Sequence, residues 1–216
     1  MSEPARRLQW MIWFGVGTTV VLLLLSLSSL SMQRRAGGDL PDYGPIADFT
    51  LTNQAGQQVT LNDLRGKVWL ADIIFTRCAG PCVKMTRQMK ELQDALASSS
   101  AVHLVSLTTD PTFDTPAVLH QYSQRFTADS SRWSFLTGTP SQIASLAAGS
   151  LKLTALEKAP KDRETPEDLF IHSTIFVLVD RHSRLRGVFE TTGDDIDPAA
   201  IKAKILGAVH TLEKEL

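Results

Sequence analysis

Apolar and polar positions divide the chain into three stretches. Residues 10–32 read WMIWFGVGTTVVLLLLSLSSLSM, with no charge inside. Residues 33–45 are polar, charged and glycine-containing, and beyond them short apolar runs alternate with amphipathic ones. A span of about 20 apolar residues crosses a bilayer, and Ser and Thr are tolerated there because they bond back to helix carbonyls. The pattern predicts a short tail at 1–9, a transmembrane anchor at 10–32, a linker at 33–45 and one domain of ordinary size at 46–216. The alternative, a cleaved signal peptide, has a shorter apolar core of about 7–15 residues ending in small residues, which Ser29-Leu30-Ser31 matches weakly. No cysteine follows the segment, which excludes lipoprotein processing. Arg6 and Arg7 precede it and Arg34 and Arg35 follow, so the positive-inside rule does not orient it.

Within the domain, alternation predicts a β-hairpin of 46–51 and 57–61 around the turn Asn53-Gln54-Ala55-Gly56. A turn at 62–66 leads into an apolar run at 67–75, read as a buried central strand. A helix follows at 81–98, with Val83, Met85, Met89, Leu92 and Leu96 on one face. Next come a strand at 102–108 and a helix at 116–126, its first turn holding Pro116 and its cap at Asp114 or Thr115. A strand at 133–137 precedes a helix opening at Thr139-Pro140. Residues 150–170 read as a polar insertion or long loop. Strands at 173–180 and 184–191 form a hairpin across Arg181-His182-Ser183, and Asp197-Pro198 starts the last helix. Early strand–helix alternation implies parallel strands, and the closing hairpin adds an antiparallel edge. The class is α/β, a mixed central sheet flanked by helices.

Composition narrows the function. The formal net charge is −1 and no basic block appears, which argues against a nucleic-acid surface. There are only 2 cysteines, too few for a disulfide framework. Both lie in Phe75-Thr76-Arg77-Cys78-Ala79-Gly80-Pro81-Cys82, where the central strand hands over to a helix. Helix N-termini favour negative charge, and Arg77 adds a cation, so a thiolate there is expected to have a lowered pKa. Two converging sulfurs close a disulfide or clamp a soft metal ion. The plainer alternative is a pair of buried structural thiols.

These residues resemble a known family. The opening ADFTLTNQAGQQVTLNDLRGKV is similar to that of thioredoxin-like and peroxiredoxin-like domains. FTRCAGPC, DPTFDTP and IHS in that order resemble the Sco/SenC family of membrane-anchored copper-binding proteins, which help assemble the dinuclear copper centre of cytochrome c oxidase. The resemblance implies a thioredoxin-like fold, copper as Cu(I) or Cu(II), thiolate ligands at Cys78 and Cys82, and an imidazole ligand at His172. It also implies a copper-receiving oxidase subunit, or another copper protein, as partner. The domain would then face the periplasm or the mitochondrial intermembrane space. One departure stands out: the family has Pro directly after the second cysteine, whereas here Pro81 precedes Cys82 and Val83 follows it.

The ligand set agrees with the chemistry, since Cu(I) is soft and takes thiolate and imidazole. His172 is expected to begin the strand at 173–180, beside the cysteine strand. A thioredoxin-like reductase would carry a cis-Pro there, and this chain has Ile171-His172-Ser173-Thr174 instead. Asp72, six residues before Cys78, matches the buried acid of thioredoxin-like proteins, or is a carboxylate satisfied at a layer edge. Asp110 is a candidate to tune the site or meet a partner. Met85 and Met89 read as core. His103, His120, His182 and His210 read as structural or solvated. A second function comes from the same dithiol: a thiol–disulfide oxidoreductase in which Cys78 attacks and Cys82 resolves. A peroxidase fits less well, for want of a Pro-x-x-x-Thr-x-x-Cys arrangement.

Overall fold

In the computed structural model, the described residues are Trp13, Thr18, Thr19 and 40–215 apart from Ala79, 164–168 and Asp194; only the backbone is described at Ala155, Leu156, Pro160, Ile171 and His172. The chain divides into two compact units, Met1–Asp39 and Leu40–Leu216. The predicted anchor lies, apart from Trp13, Thr18 and Thr19, outside the described residues. Among those described, no helix is long and apolar enough to cross a membrane.

The second unit is built on strand β3, Val68–Ile74, every residue of which is buried. Both faces are covered, so the strand reads as an apolar run interrupted by Asp72 instead of an alternating one. Val68, Leu70 and Ile74 enter one core cluster, and Trp69, Ala71 and Ile73 enter the other. Strand β4, Val102–Thr108, pairs parallel with β3, and β5, Trp133–Thr137, pairs parallel with β4. On the other side β8, Ile175–Val179, pairs antiparallel with β3, and β9, Leu185–Glu190, pairs antiparallel with β8. The N-terminal hairpin is β1, Thr50–Asn53, and β2, Gln58–Thr60, with β1 also antiparallel to β5. Its turn is closed by Asn53 Oδ1, which accepts from the N–H groups of Ala55 and Gln57, and by Gly56 at φ +77°. The seven-stranded order is β2-β1-β5-β4-β3-β8-β9. The mixed sheet expected from the alternation is therefore present.

The helices are α1, Leu61–Leu64; α2, Pro81–Ala95; α3, Pro116–Arg125; α4, Pro140–Ala144, continued by a π-helical stretch Ser145–Leu151; and α5, Pro198–Lys214. Asp197 caps α5 by accepting from the Ala199 N–H. Met85, Met89 and Leu92 of α2 are buried in the first cluster with Val209 and Leu212 of α5. Each such side chain contributes roughly 1.5–3 kcal/mol by leaving water.

The insertion at 150–170 holds strands where a long loop was expected. It contains β6, Ala155–Glu157, and β7, Phe170–His172, antiparallel to one another in a separate two-stranded sheet. His172 therefore ends a strand of this small hairpin and does not begin β8. The reason is register: Ala155 opposes His172, and the Ser173 N–H donates to the Thr154 carbonyl, before the chain enters the main sheet at Ile175.

Candidate metal centre

The cysteine turn leaves the carboxyl end of β3. Gly80 is the N-cap of α2, Pro81 sits in its first turn and Cys82 follows. Proline costs nothing there, because its missing N–H would have had no helical partner. The shift of proline to the position before the second cysteine is thus accommodated as a helix start. Neither cysteine is in a disulfide; Cys78 is 8% exposed and Cys82 is 0% exposed. Phe75 ties them together. Its N–H donates to Cys82 Sγ at 3.4 Å, and its carbonyl accepts the Cys78 N–H at 3.2 Å.

Burial pushes the Cys82 thiol far up, and the neighbouring Cys78 sulfur pushes it further. This corrects the expectation of a lowered thiolate pKa at this helix end. A thiolate here loses more by leaving water than it gains from first-turn amides, because Met85, Met89 and Phe75 close over it as a single apolar cluster. The charge of Asp72 raises the Cys82 thiol a little further. Asp72 is itself fully buried in β3. Beyond Cys82 runs a buried polar line: Thr86 Oγ1 donates to the Cys82 carbonyl at 2.8 Å and meets the Tyr122 hydroxyl at 2.9 Å. Burial pushes the Tyr122 hydroxyl up as well.

The DPTFDTP stretch clamps the cysteine turn from the side of β4. Arg77 pairs with Asp110, and its guanidinium lies 4.2 Å from the centre of the Phe113 ring. Asp114 is fully buried and accepts from the Thr76 N–H at 3.1 Å, from the Thr76 hydroxyl and from the Thr108 hydroxyl. Burial holds its carboxyl above the ordinary range, against the pull of those donors. The cap of α3 is Thr115, whose side chain accepts from the Val118 N–H. Asp114 therefore locks the residues just before Cys78, a role sequence reasoning missed. The signal was its sequence neighbourhood, which reads equally well as a helix cap.

The predicted site residues are thus distributed as follows. Cys78 and Cys82 are brought together. Asp110 reaches the same turn through Arg77, and Asp72 lies within electrostatic reach of Cys82. His172 stands in β7, three residues before β8. Since β8 runs antiparallel to β3, the chain before Ile175 comes in at the edge where Phe75 leaves. The Phe170 ring meets the Phe75 ring edge-on, centroids 5.2 Å apart. The His172 side chain is outside the described part of the structure. Among the described residues no three His, Cys, Asp or Glu side chains gather as a metal cage. Met85 and Met89 are fully buried core residues. His103 is half-buried in β4, and burial brings it down to about 4.

A sequence model of the family described as SCO1/SenC matches residues 42–209. The SCO1 protein homolog of Bacillus subtilis is 38% identical over 186 residues, covering 83% of this chain and 92% of its own. The solved structure of BsSco, described as a member of the Sco family of cytochrome c oxidase assembly proteins with a disulfide switch, superposes with a TM-score of 0.67 at 30% identity, over 82% of this chain and 98% of that one. The copper-bound ScoI of Bradyrhizobium japonicum does so with a TM-score of 0.60 at 26% identity, over 74% and 96%. With the sheet order, the cysteine turn and these likenesses in agreement, the chain belongs to the SCO1/SenC family.

Proposed function

We propose that this protein is a membrane-anchored copper metallochaperone. Its cargo is held by the Cys78 and Cys82 thiolates and the His172 imidazole, and passes to a copper-receiving subunit of cytochrome c oxidase or another copper protein. The anchor is the apolar stretch 10–32, and the domain works on the periplasmic or intermembrane-space side. One observation carries the reading: the cysteine turn and the β7 strand that ends in His172 come to the same sheet edge, joined by the Phe75–Phe170 contact. The donor set suits copper, since two thiolates and an imidazole are soft to borderline ligands. Copper also resolves the cost of burial, because a cation replaces the protons that the buried thiols otherwise keep.

A thiol–disulfide role has its own support in the graded burial of the pair. Cys78, the more exposed sulfur, would attack a partner disulfide, and Cys82 would then displace the reduced partner thiol. His172→Ala separates the two. Copper carriage predicts a loss of Cu(I) affinity of more than about 100-fold, above the 10–100-fold expected for a residue behind the ligands. It also predicts an unchanged dithiol–disulfide potential. Copper content after anaerobic, reduced purification, with Cys82→Ser as the control, is the first measurement. A His172→Ala variant that keeps full Cu(I) affinity rejects the ligand set.

A further inference from the structure

We infer that Phe170 is a positioning residue: its ring, set against Phe75, docks the β6–β7 hairpin onto the cysteine turn and so fixes where the backbone of His172 stands. The inference rests on the copper reading above, and adds to it a residue that none of the motifs contains.

Three observations point to it. First, β6 and β7 form their own two-stranded sheet, apart from the seven-stranded one. The hairpin is closed on itself by the Ser173 N–H to the Thr154 carbonyl and by the Lys158 N–H to the Leu169 carbonyl, both at 2.8 Å. Backbone bonds hold its two ends, from the Leu153 N–H to the Ala147 carbonyl and from the Thr191 N–H to the Thr174 carbonyl, both at 2.9 Å, so the lie of the strands between them is left to side chains; among the described residues, Leu169 enters the cluster containing both cysteines and Phe170 packs against it. Second, the partner of the Phe170 ring is Phe75, the same residue whose N–H meets Cys82 Sγ and whose carbonyl meets the Cys78 N–H. A single residue thus contacts both thiol positions and the strand that ends in His172. Third, the ring planes cross at 65°, the edge-to-face arrangement aromatic pairs prefer. Phe170 is only partly buried, while Phe75 is 2% exposed, so Phe170 can be truncated without opening the core.

The expected effect follows from population arithmetic. If only the docked hairpin offers the imidazole, the apparent copper dissociation constant rises by the inverse of the docked fraction. Losing an aromatic pair together with its burial lowers that fraction about 10-fold.

The test uses the full chain, reduced and anaerobic, with a chromophoric Cu(I) chelator as competitor. The variants are Phe170→Ala, Phe170→Tyr, His172→Ala and the double variant Phe170→Ala/His172→Ala. Phe170→Ala is expected to weaken Cu(I) binding about 10-fold, Phe170→Tyr to stay within about 2-fold of wild type because the ring is kept, and Phe170→Ala to add nothing once His172 is gone. Amide exchange on the copper-free protein supplies a second readout: Phe170→Ala should speed exchange of the Lys158 and Ser173 amides and leave those of β3 unchanged. Wild-type copper affinity and exchange in Phe170→Ala overturn the inference and leave the ligand reading standing if His172→Ala is weak. An equal loss in the His172→Ala background also overturns it, since Phe170 would then act on the thiols or the fold. A silent His172→Ala overturns the ligand reading itself.

Discussion

Asp114→Ala should destabilise the domain by about 2–3 kcal/mol and loosen the cysteine turn, while Asp114→Asn should cost less than about 1 kcal/mol. In the wild type the carboxylate takes the Thr76 N–H, the Thr76 hydroxyl and the Thr108 hydroxyl. Bonds to a charged acceptor are each worth about 1.5–3 kcal/mol net, but burial offsets much of this, since the carboxyl is held above its ordinary range. On truncation, the Thr108 hydroxyl keeps one partner because it also accepts the Asp110 N–H at 2.9 Å, and the Thr76 hydroxyl can rotate. The Thr76 N–H cannot rotate, and its stranding costs about 1–3 kcal/mol, to which the small cavity adds. Asparagine can set its oxygen toward the Thr76 N–H and Thr108, and donate its amide to the Thr76 hydroxyl. The assay is urea unfolding of all three proteins, paired with the rate at which a disulfide reagent modifies Cys78. A carboxyl raised in the folded state contributes stability below its unfolded pKa and loses it as pH rises through the folded value. Asp114→Asn should therefore gain on wild type from acid to neutral pH. If Asp114→Ala unfolds within about 0.5 kcal/mol of wild type and Cys78 reacts no faster, Asp114 does not lock the turn.

Other consequences are simpler to state. His103, brought down to about 4 from about 6.5, binds its proton first in the unfolded chain, so its contribution is complete above about pH 6.5 and falls as pH drops; His103→Gln should remove about 1–2 kcal/mol of the stability lost from about pH 7 to about pH 5. Met85→Ala should cost about 2–5 kcal/mol in denaturant titration, since this fully buried thioether is packing. Arg186 bonds Asp180, Glu215 and the Leu40 and Pro41 carbonyls, so Arg186→Leu should cost about 3 kcal/mol and expose residues 40–45 to protease; an unchanged digestion pattern would contradict this. Because both thiols must release protons, Cu(I) affinity measured against a pH-independent competitor should rise as pH increases, with a slope of up to about two decades per pH unit.

How legible the molecule was depended on how local each feature is. Strands β4 and β5 were bounded correctly from their apolar runs, and the helix starts at Pro81, Pro116, Pro140 and Pro198 followed from proline at the first helical turn. The turn at 62–66 is a single helical turn plus Gly66 at φ +77°, too short to show a period. β6 and β7 span three residues each, and only their pairing across the insertion defines them, so nothing in 150–170 announced a hairpin. The Cys82 thiol was misjudged for a related reason. The helix end is visible in the sequence, but the depth of burial depends on residues as distant as Phe176 and Val209. Asp114 was misread because a capping residue and a carboxylate locked onto Thr76 have the same sequence context.

A metal carrier faces two demands that pull against each other: it must hold a soft cation and it must let go. If this chain carries copper as proposed, the fold divides them between two bodies. Cys78 and Cys82 belong to one, where β3, α2 and the Asp110 and Asp114 contacts fix the turn on several sides. The strand bearing His172 belongs to the other, a hairpin with its own backbone pairing that touches the turn through side chains. If the three donors take copper as proposed, the imidazole is the ligand that can leave without unfolding anything. Its departure leaves two thiolates around the cation, a low coordination number that Cu(I) accepts, and opens a position for a donor from the recipient.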